Sequence, residues 1–465
     1  MLSKNFDENL RLMEQTLKTA DSFDLIERKI TIKNRRAVLY FSDGLTKDEI
    51  AEKLLEFIYK NAEENFFESA SVFSKSCIPY IEVETTGDEI KITTDVLSGM
   101  SALIIEGFDQ AILLDIRTYP QRSTSEPEND KVLRGSKDGF VETIVFNAAL
   151  IRRRIRDPKL RIKALRAGRK SQTDIALCYM EDKADKKLLR DLTGRIEGIK
   201  ADALTMNQQS LIENLYPGRW LNPFPKVKHT ERPDTAAAAV LKGNIVIFVD
   251  NSPSAIILPT SVFDLIEEAD DFYFSPVTGT YLRLARYFIT LLSVVITPLW
   301  LLCLQNPDFV PAAFRFILVD EAQNIPVVLQ LLIIEVGIDG LRLASLNTPS
   351  SLTTPLSIIG AIALSDFVVQ SGWVCGEAIL YMAFVTIANY TQPSYELGYS
   401  LKFCRILLLI LTALFNLWGF IAGNIINIFL LCSNKTISGK SYIYPLFPFN
   451  GKELLKKLVR MKSGE

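Results

Sequence analysis

Three ionisable residues stand in an apolar stretch late in the chain. Residues 325–346 are mostly apolar but carry Gln330, Glu335, Asp339 and Arg342. The last three fall at i, i+4 and i+7, on one stripe of a helix. Carboxylates facing lipid are costly, so the stripe must face protein, water or the interface. Repeated around an oligomer axis, Glu335 and Asp339 would form rings that draw cations. Leu343 and Leu346 would then supply an apolar constriction, with Arg342 on the same pore-lining helix. The same residues equally suit a salt-bridged packing helix in or beside a bilayer. Pro326, Gly337 and Gly340 permit bending or close helix approach.

Enzyme chemistry finds little support. His229 is the single histidine, and alone it makes neither a metal site nor an acid–base pair. It reads as a surface or hydrogen-bonded residue. No P-loop or GxGxxG occurs, and the turn at Asn251-Ser252-Pro253 lacks a GxSxG context. The six cysteines show no CxxC spacing and read as small buried hydrophobes. No cofactor, metal site or disulfide framework is expected. The net charge of −2 gives no global attraction to nucleic acid. From Arg152 to Lys170, ten basic residues meet one acid, Asp157. They read as a solvated face, or as a contact for anionic headgroups or an acidic neighbouring subunit. Without interleaved aromatics, nucleic acid is not an expected partner.

The elements that position these residues divide the chain in two. Charge is concentrated in 1–283, and long apolar runs begin at Tyr287. Helical spacing covers 1–25 and 47–62. Strand-like runs occupy 29–42, 78–84 and 110–117. The polar segment 119–131 reads as a linker. A helix is expected over 138–156, with Asp138 as its N-cap, or with the free N–H groups of Asp138-Gly139-Phe140 open to an anion. A strand is expected at 173–180 and a helix at 184–198. The runs 244–250 and 254–259 flank a turn as a hairpin. Spans are expected at 287–304, 378–395 and 406–434, with a weaker one at 355–370. The last long run is 29 residues without charge and should tilt or break near Gly419 and Gly423.

The expected fold is an α/β cytoplasmic region of two subdomains plus an α-helical multi-span membrane domain. Its parts are an N-terminal subdomain 1–118, linker 119–131, second subdomain 132–283, transmembrane domain 284–434 and basic cytoplasmic tail 435–465. The polar N-terminus lacks an apolar signal region, which places 1–283 in the cytoplasm. The basic segment 451–462 also belongs there. Four crossings follow if 325–346 does not cross. Six follow if it does and 406–434 crosses twice.

Several long motifs occur in order. The segment 122–161 carries Glu126-Pro127, Arg134-Gly135, Asp138-Gly139-Phe140, Glu142, Asn147 and the run Arg152-Arg153-Arg154. Further blocks are NPFPKVKHTERPD at 222–234, VDNSPSAIILPT at 249–260, PSYELGYSLKFCR at 393–405 and YPLFPFN at 444–450. Together they resemble the GerA-type spore germinant receptor A-subunit family. Segments such as RGSKDGFVETIVFN and RRRIRDPKLR resemble its stage V sporulation branch more than its nutrient-sensing subunits. The resemblance implies structural or interface roles for the motif residues. It also implies a place in the inner membrane of a bacterial spore, a role in germination, and self-association. Expected partners are a small membrane protein, other germination proteins and lipid. One reading is an oligomeric ion-conducting subunit that promotes or amplifies ion release. The other is a non-conducting scaffold or receptor that binds partner membrane proteins or a germinant and transmits a signal. A secondary transporter would need an inverted repeat, and the spans show none.

Overall fold

The computed structural model describes residues 1–119, 133, 135–216, 222–319, 324–347 and 366–461. The chain forms two compact units. The first comprises Met1–Gly218 and Val227–Pro259; the second comprises Arg219–Lys226 and Thr260–Glu465.

The first unit holds two five-stranded sheets. One contains β1 (Leu25–Ile32), β2 (Arg35–Ser42), β3 (Val83–Thr86), β4 (Ser101–Ile105) and β5 (Ala111–Leu114), in the order β1-β2-β4-β5-β3. The other contains β6 (Leu160–Ala167), β7 (Thr173–Met180), β8 (Lys228–Thr230), β9 (Ile245–Val249) and β10 (Ala255–Leu258), in the order β6-β7-β9-β10-β8. Every pairing is antiparallel, although helices and strands alternate along the chain.

The first sheet is covered on both faces by helices α1 (Phe6–Leu17), α2 (Asp48–Asn61), α3 (Ala70–Cys77) and α4 (Glu89–Leu97). Strand β2 shows the period of two. Ala37 and Leu39 meet Leu54, Ile58 and Phe73 from α2 and α3. Val38 and Tyr40 meet Met13, Leu17, Ile92 and Val96 from α1 and α4. The run 29–42 is therefore not one strand. It belongs to a hairpin that turns at Lys33-Asn34, with Ile32 opposite Arg35 and Lys33 left-handed at φ 54. In the second sheet, β9 and β10 form the expected hairpin, with Ile247 opposite Ile256. Helices α5 (Ile144–Arg154) and α8 (Pro233–Leu241) pack Ala148, Ile151, Ala236 and Val240 onto Cys178, Val246 and Phe248. Helices α6 (Lys186–Glu197) and α7 (Asn207–Leu215) lie between β7 and β8 in the chain.

The expected helix over 138–156 begins later, at Ile144. Asp138 does not cap it. The Asn147 amide brackets Val141, receiving its N–H at 2.8 Å and donating to its carbonyl at 2.6 Å. Phe140 donates its N–H to the Glu231 carbonyl at 2.8 Å. These bonds hold the residues before Ile144 extended.

In the second unit the long helices are α9 (Pro276–Gln305), α10 (Val327–Asn347), α11 (Gly376–Tyr390) and α12 (Tyr395–Ser433). Helices α9 and α12 are long and apolar enough to cross a membrane. The expected span 378–395 is interrupted, because Ser394 accepts from the Leu397 N–H at 3.3 Å and starts α12. Of the expected span 355–370, only Asp366–Gln370 lies within the described residues, and it is helical.

Helix α12 breaks at Asn416, at φ 52 and ψ −132, rather than at Gly419 or Gly423. Asparagine tolerates positive φ, and Asn416 exchanges amide hydrogen bonds with Asn306 at 2.6 and 3.2 Å. The two limbs, 395–415 and 417–433, fold back on each other. Asn427 donates to the Cys404 carbonyl at 3.1 Å. The glycines lie where the limbs touch. A Cβ at Gly423 would stand 2.6 Å from Leu408 Cδ1, and one at Gly419 would overlap the Leu411 carbonyl. Gly419→Ala is expected to destabilise the second unit by at least about 1–3 kcal/mol through overpacking. Thermal melting in detergent checks this, and an unchanged midpoint would show that the limbs do not close here.

The C-terminal helix α13 (Gly451–Leu458) lies against the start of α9. Arg283 donates to the carbonyls of Lys456 and Lys457 at 3.2 and 3.1 Å. Lys457 pairs with Asp264 and, at 3.4 Å, with Glu267.

Candidate functional site

The ionisable stripe of α10 meets partners from α12. Lys402 and Arg405 stand at i and i+3, matching the i, i+4 spacing of Glu335 and Asp339. Arg405 Nη2 grips both oxygens of Glu335 at 2.8 Å, and its Nη1 donates to the Ser293 carbonyl on α9 at 3.1 Å. Lys402 Nζ lies 3.1 Å from Glu335 and closer to Asp339. Glu335, Lys402 and Arg405 are 8%, 5% and 3% exposed. Gln330 ties α10 to α11: its Oε1 accepts from the Cys375 N–H at 2.8 Å.

Arg342 ends the stripe differently. Its guanidinium stands 4.9 Å from the ring centre of Tyr399, 5.2 Å from Tyr395 and 5.8 Å from Tyr390. A narrow cleft beside it is lined by Glu335, Asp339, Arg342, Thr386, Asn389 and Tyr390, among others. Leu343 is turned away from this group and is 57% exposed. Leu346 lies on α10, and its side chain is outside the described residues. Sequence reasoning thus found the acidic half of the cluster and missed Lys402 and Arg405. The missed signal was two cations at helical spacing beside a long apolar run.

The motif residues of the first unit act mostly within it. Arg152 and Asp24 are fully buried and paired through Nε at 2.8 Å and Nη2 at 3.2 Å. Arg153 stacks on Tyr119, with 4.2 Å between guanidinium carbon and ring centre. Arg154 reaches Asp138 at 2.6 Å. Burial pushes the Asp138 carboxyl up, but hydrogen bonds from Arg154 and Ser136 outweigh it and hold the group below its ordinary range. Phe140 packs edge-on against Phe248. Gly135 takes φ 108, and Gly139 lines an open cleft with Lys47, Arg117 and Tyr119. Glu142 is exposed and accepts the Asn251 N–H through its carbonyl at 2.9 Å. Glu126, Pro127, Arg134 and nearly all of the linker 119–131 lie outside the described residues.

The basic run is largely consumed by internal pairs. Lys159 meets Asp182 and Arg161 meets Glu181, while Arg166 meets Asp174 and Lys170 meets Asp202. His229 hydrogen-bonds Gln208 at 3.1 Å. Among the described residues, no cluster of His, Cys, Asp and Glu is placed to hold a metal ion.

Residues 11–464 match the family described as Bacillus/Clostridium GerA spore germination protein. The chain is 38% identical to stage V sporulation protein AF of Bacillus subtilis (strain 168), over 98% of its own length and 92% of that protein. It is 26% identical to spore germination protein KA of the same organism, over 99% of this chain and 84% of that one. Among solved structures, the N-terminal domain of the A subunit of the Bacillus megaterium spore germinant receptor GerK3 matches 56% of this chain and 96% of that domain. That match has 26% identity and a TM-score of 0.42.

Proposed function

The chain belongs to the GerA spore germination protein family, and on that premise we propose that it is a membrane-embedded germination subunit whose oligomer conducts ions. The observation that carries this reading is the group of buried charges among apolar helices. Ionisable groups at such depth are costly and concentrate where ions or protons pass. The outward residues Phe288 and Leu291 of α9, and Leu414, Trp418, Ile425 and Phe429 of α12, leave an apolar surface that a bilayer would cover. The site of action is the spore inner membrane, with the first unit in the spore core. Copies of the chain, a small membrane protein, other germination proteins and lipid are the proposed partners.

In the arrangement described, Lys402 and Arg405 neutralise Glu335 and Asp339. Conduction through this group then requires the ion pairs to part or to be shared with a neighbouring copy. Full pairing of both carboxylates favours the second reading, a non-conducting scaffold or receptor subunit that passes on a signal.

Ion flux through liposomes containing the purified chain separates the two, with oligomeric size measured in the same preparation. A current from a defined oligomer, altered in selectivity by Glu335→Gln with Asp339→Asn, is the expected result. Flux with unaltered selectivity in that double variant would remove the carboxylates from the pore. A well-folded oligomer with no flux would favour the scaffold.

A further inference from the structure

We infer that Arg342 and the tyrosines around it form a binding site for a phosphate-bearing anion, either free phosphate or a lipid headgroup. Charge balance gives the first reason. Three cations, Arg342, Lys402 and Arg405, stand with two carboxylates, Glu335 and Asp339, and both carboxylates are taken by Lys402 and Arg405. One positive charge remains over: Arg342 shares the cleft with Glu335 and Asp339, but among the described residues it makes no ion pair, because both carboxylates are held by Lys402 and Arg405. Ring faces stabilise a cation but accept none of its five N–H donors well. A planar guanidinium with free donors matches the oxygens of a phosphate.

Access gives the second reason. Arg342 borders the narrow cleft between α10 and α11, which Asn389 and Thr386 also line, and its open side is toward the tyrosines. Tyr390 and Tyr395 are 61% and 55% exposed, so a ligand can approach past their rings. Position gives the third. Arg342 lies beside the first turns of α12, level with Tyr395 and Tyr399, where that helix begins. Tyrosine and arginine at the end of an apolar helix are the residues that sit at headgroup level. The two carboxylates in the cleft oppose an anion, and their pairing with Lys402 and Arg405 removes most of that opposition.

The test uses the full chain in a sugar detergent free of phosphate, and reads thermal melting. Inorganic phosphate is titrated in one arm. In the other, mixed micelles carry phosphatidylglycerol or an uncharged glycolipid without phosphate. A saturable rise in melting temperature is expected in at least one phosphate-bearing arm, none with the glycolipid, and none for Arg342→Gln in any arm. A rise with inorganic phosphate assigns the free anion, and a rise with phosphatidylglycerol alone assigns the headgroup. Arg342→Lys keeps the charge but loses the fork, and should need about tenfold more ligand for half-saturation. That variant carries the test if Arg342→Gln does not fold. No rise in either phosphate arm, an equal rise with the glycolipid, or a rise that survives in Arg342→Gln would overturn the site. The readout does not depend on conduction, so its failure is separate from that of the channel reading.

Discussion

Arg405→Gln is expected to lower the stability of the second unit by about 3–5 kcal/mol, because it strands the buried Glu335 carboxylate with Lys402 alone. The size of the effect follows from burial. Both side chains are nearly closed to water, so Glu335 has little solvent to turn to when its bidentate partner leaves. The loss belongs to the broken pair and not to the intact one, whose attraction is mostly offset by desolvation. The double change Glu335→Gln with Arg405→Gln should therefore recover most of the loss, since two neutral amides replace two charges. A double-mutant cycle on thermal or denaturant unfolding in detergent measures the coupling. If the single variants and the double variant lose stability additively, the two residues do not form the pair described.

Arg152→Met should destabilise the first unit by a similar amount, about 3–5 kcal/mol. Asp24 and Arg152 are both fully buried, and the pair spans 128 residues of sequence. It joins the N-terminal segment to α5 of the second sheet. The same segment is pinned by the Phe23 N–H on the Ile162 carbonyl at 3.1 Å, and by Lys18 on Glu181 at 2.6 Å. Removing the guanidinium leaves the Asp24 carboxylate buried without its counter-ion. Hydrogen exchange should show faster opening of residues 18–25 and of β6, with α1 and α4 less affected. Asp24→Asn with Arg152→Met should restore much of the protection. Unchanged exchange in Arg152→Met would mean that packing alone holds the two sheets together.

Much of the chain was legible because its signals are local. Strand β7 and the β9–β10 hairpin follow from short apolar runs and an Asp-Asn-Ser-Pro turn within the same few residues. Helix α2 follows from its own period, and α9 and α12 from length and apolarity. Strand β4 gives no such signal: all five of its residues are buried, so nothing alternates. The hairpin at Lys33-Asn34 also lacks the Gly or Pro that would have marked it.

The sequence by itself determined the membership of the family, the two α/β regions in outline, the apolar helices and the spacing that puts Glu335, Asp339 and Arg342 on one stripe. Tertiary structure alone decided what those charges meet. Lys402 lies 63 residues from Asp339, and Arg405 lies 70 from Glu335. Asp138 looks like a helix cap from its neighbours, yet its charge goes to Arg154, 16 residues on. The fold-back at Asn416 likewise depends on Asn306, 110 residues earlier. The reason is physical. Periodicity records which face of an element is covered, whereas the partner of a buried charge is set by which elements pack together. That choice minimises stranded charge over the whole unit, and no local pattern encodes it.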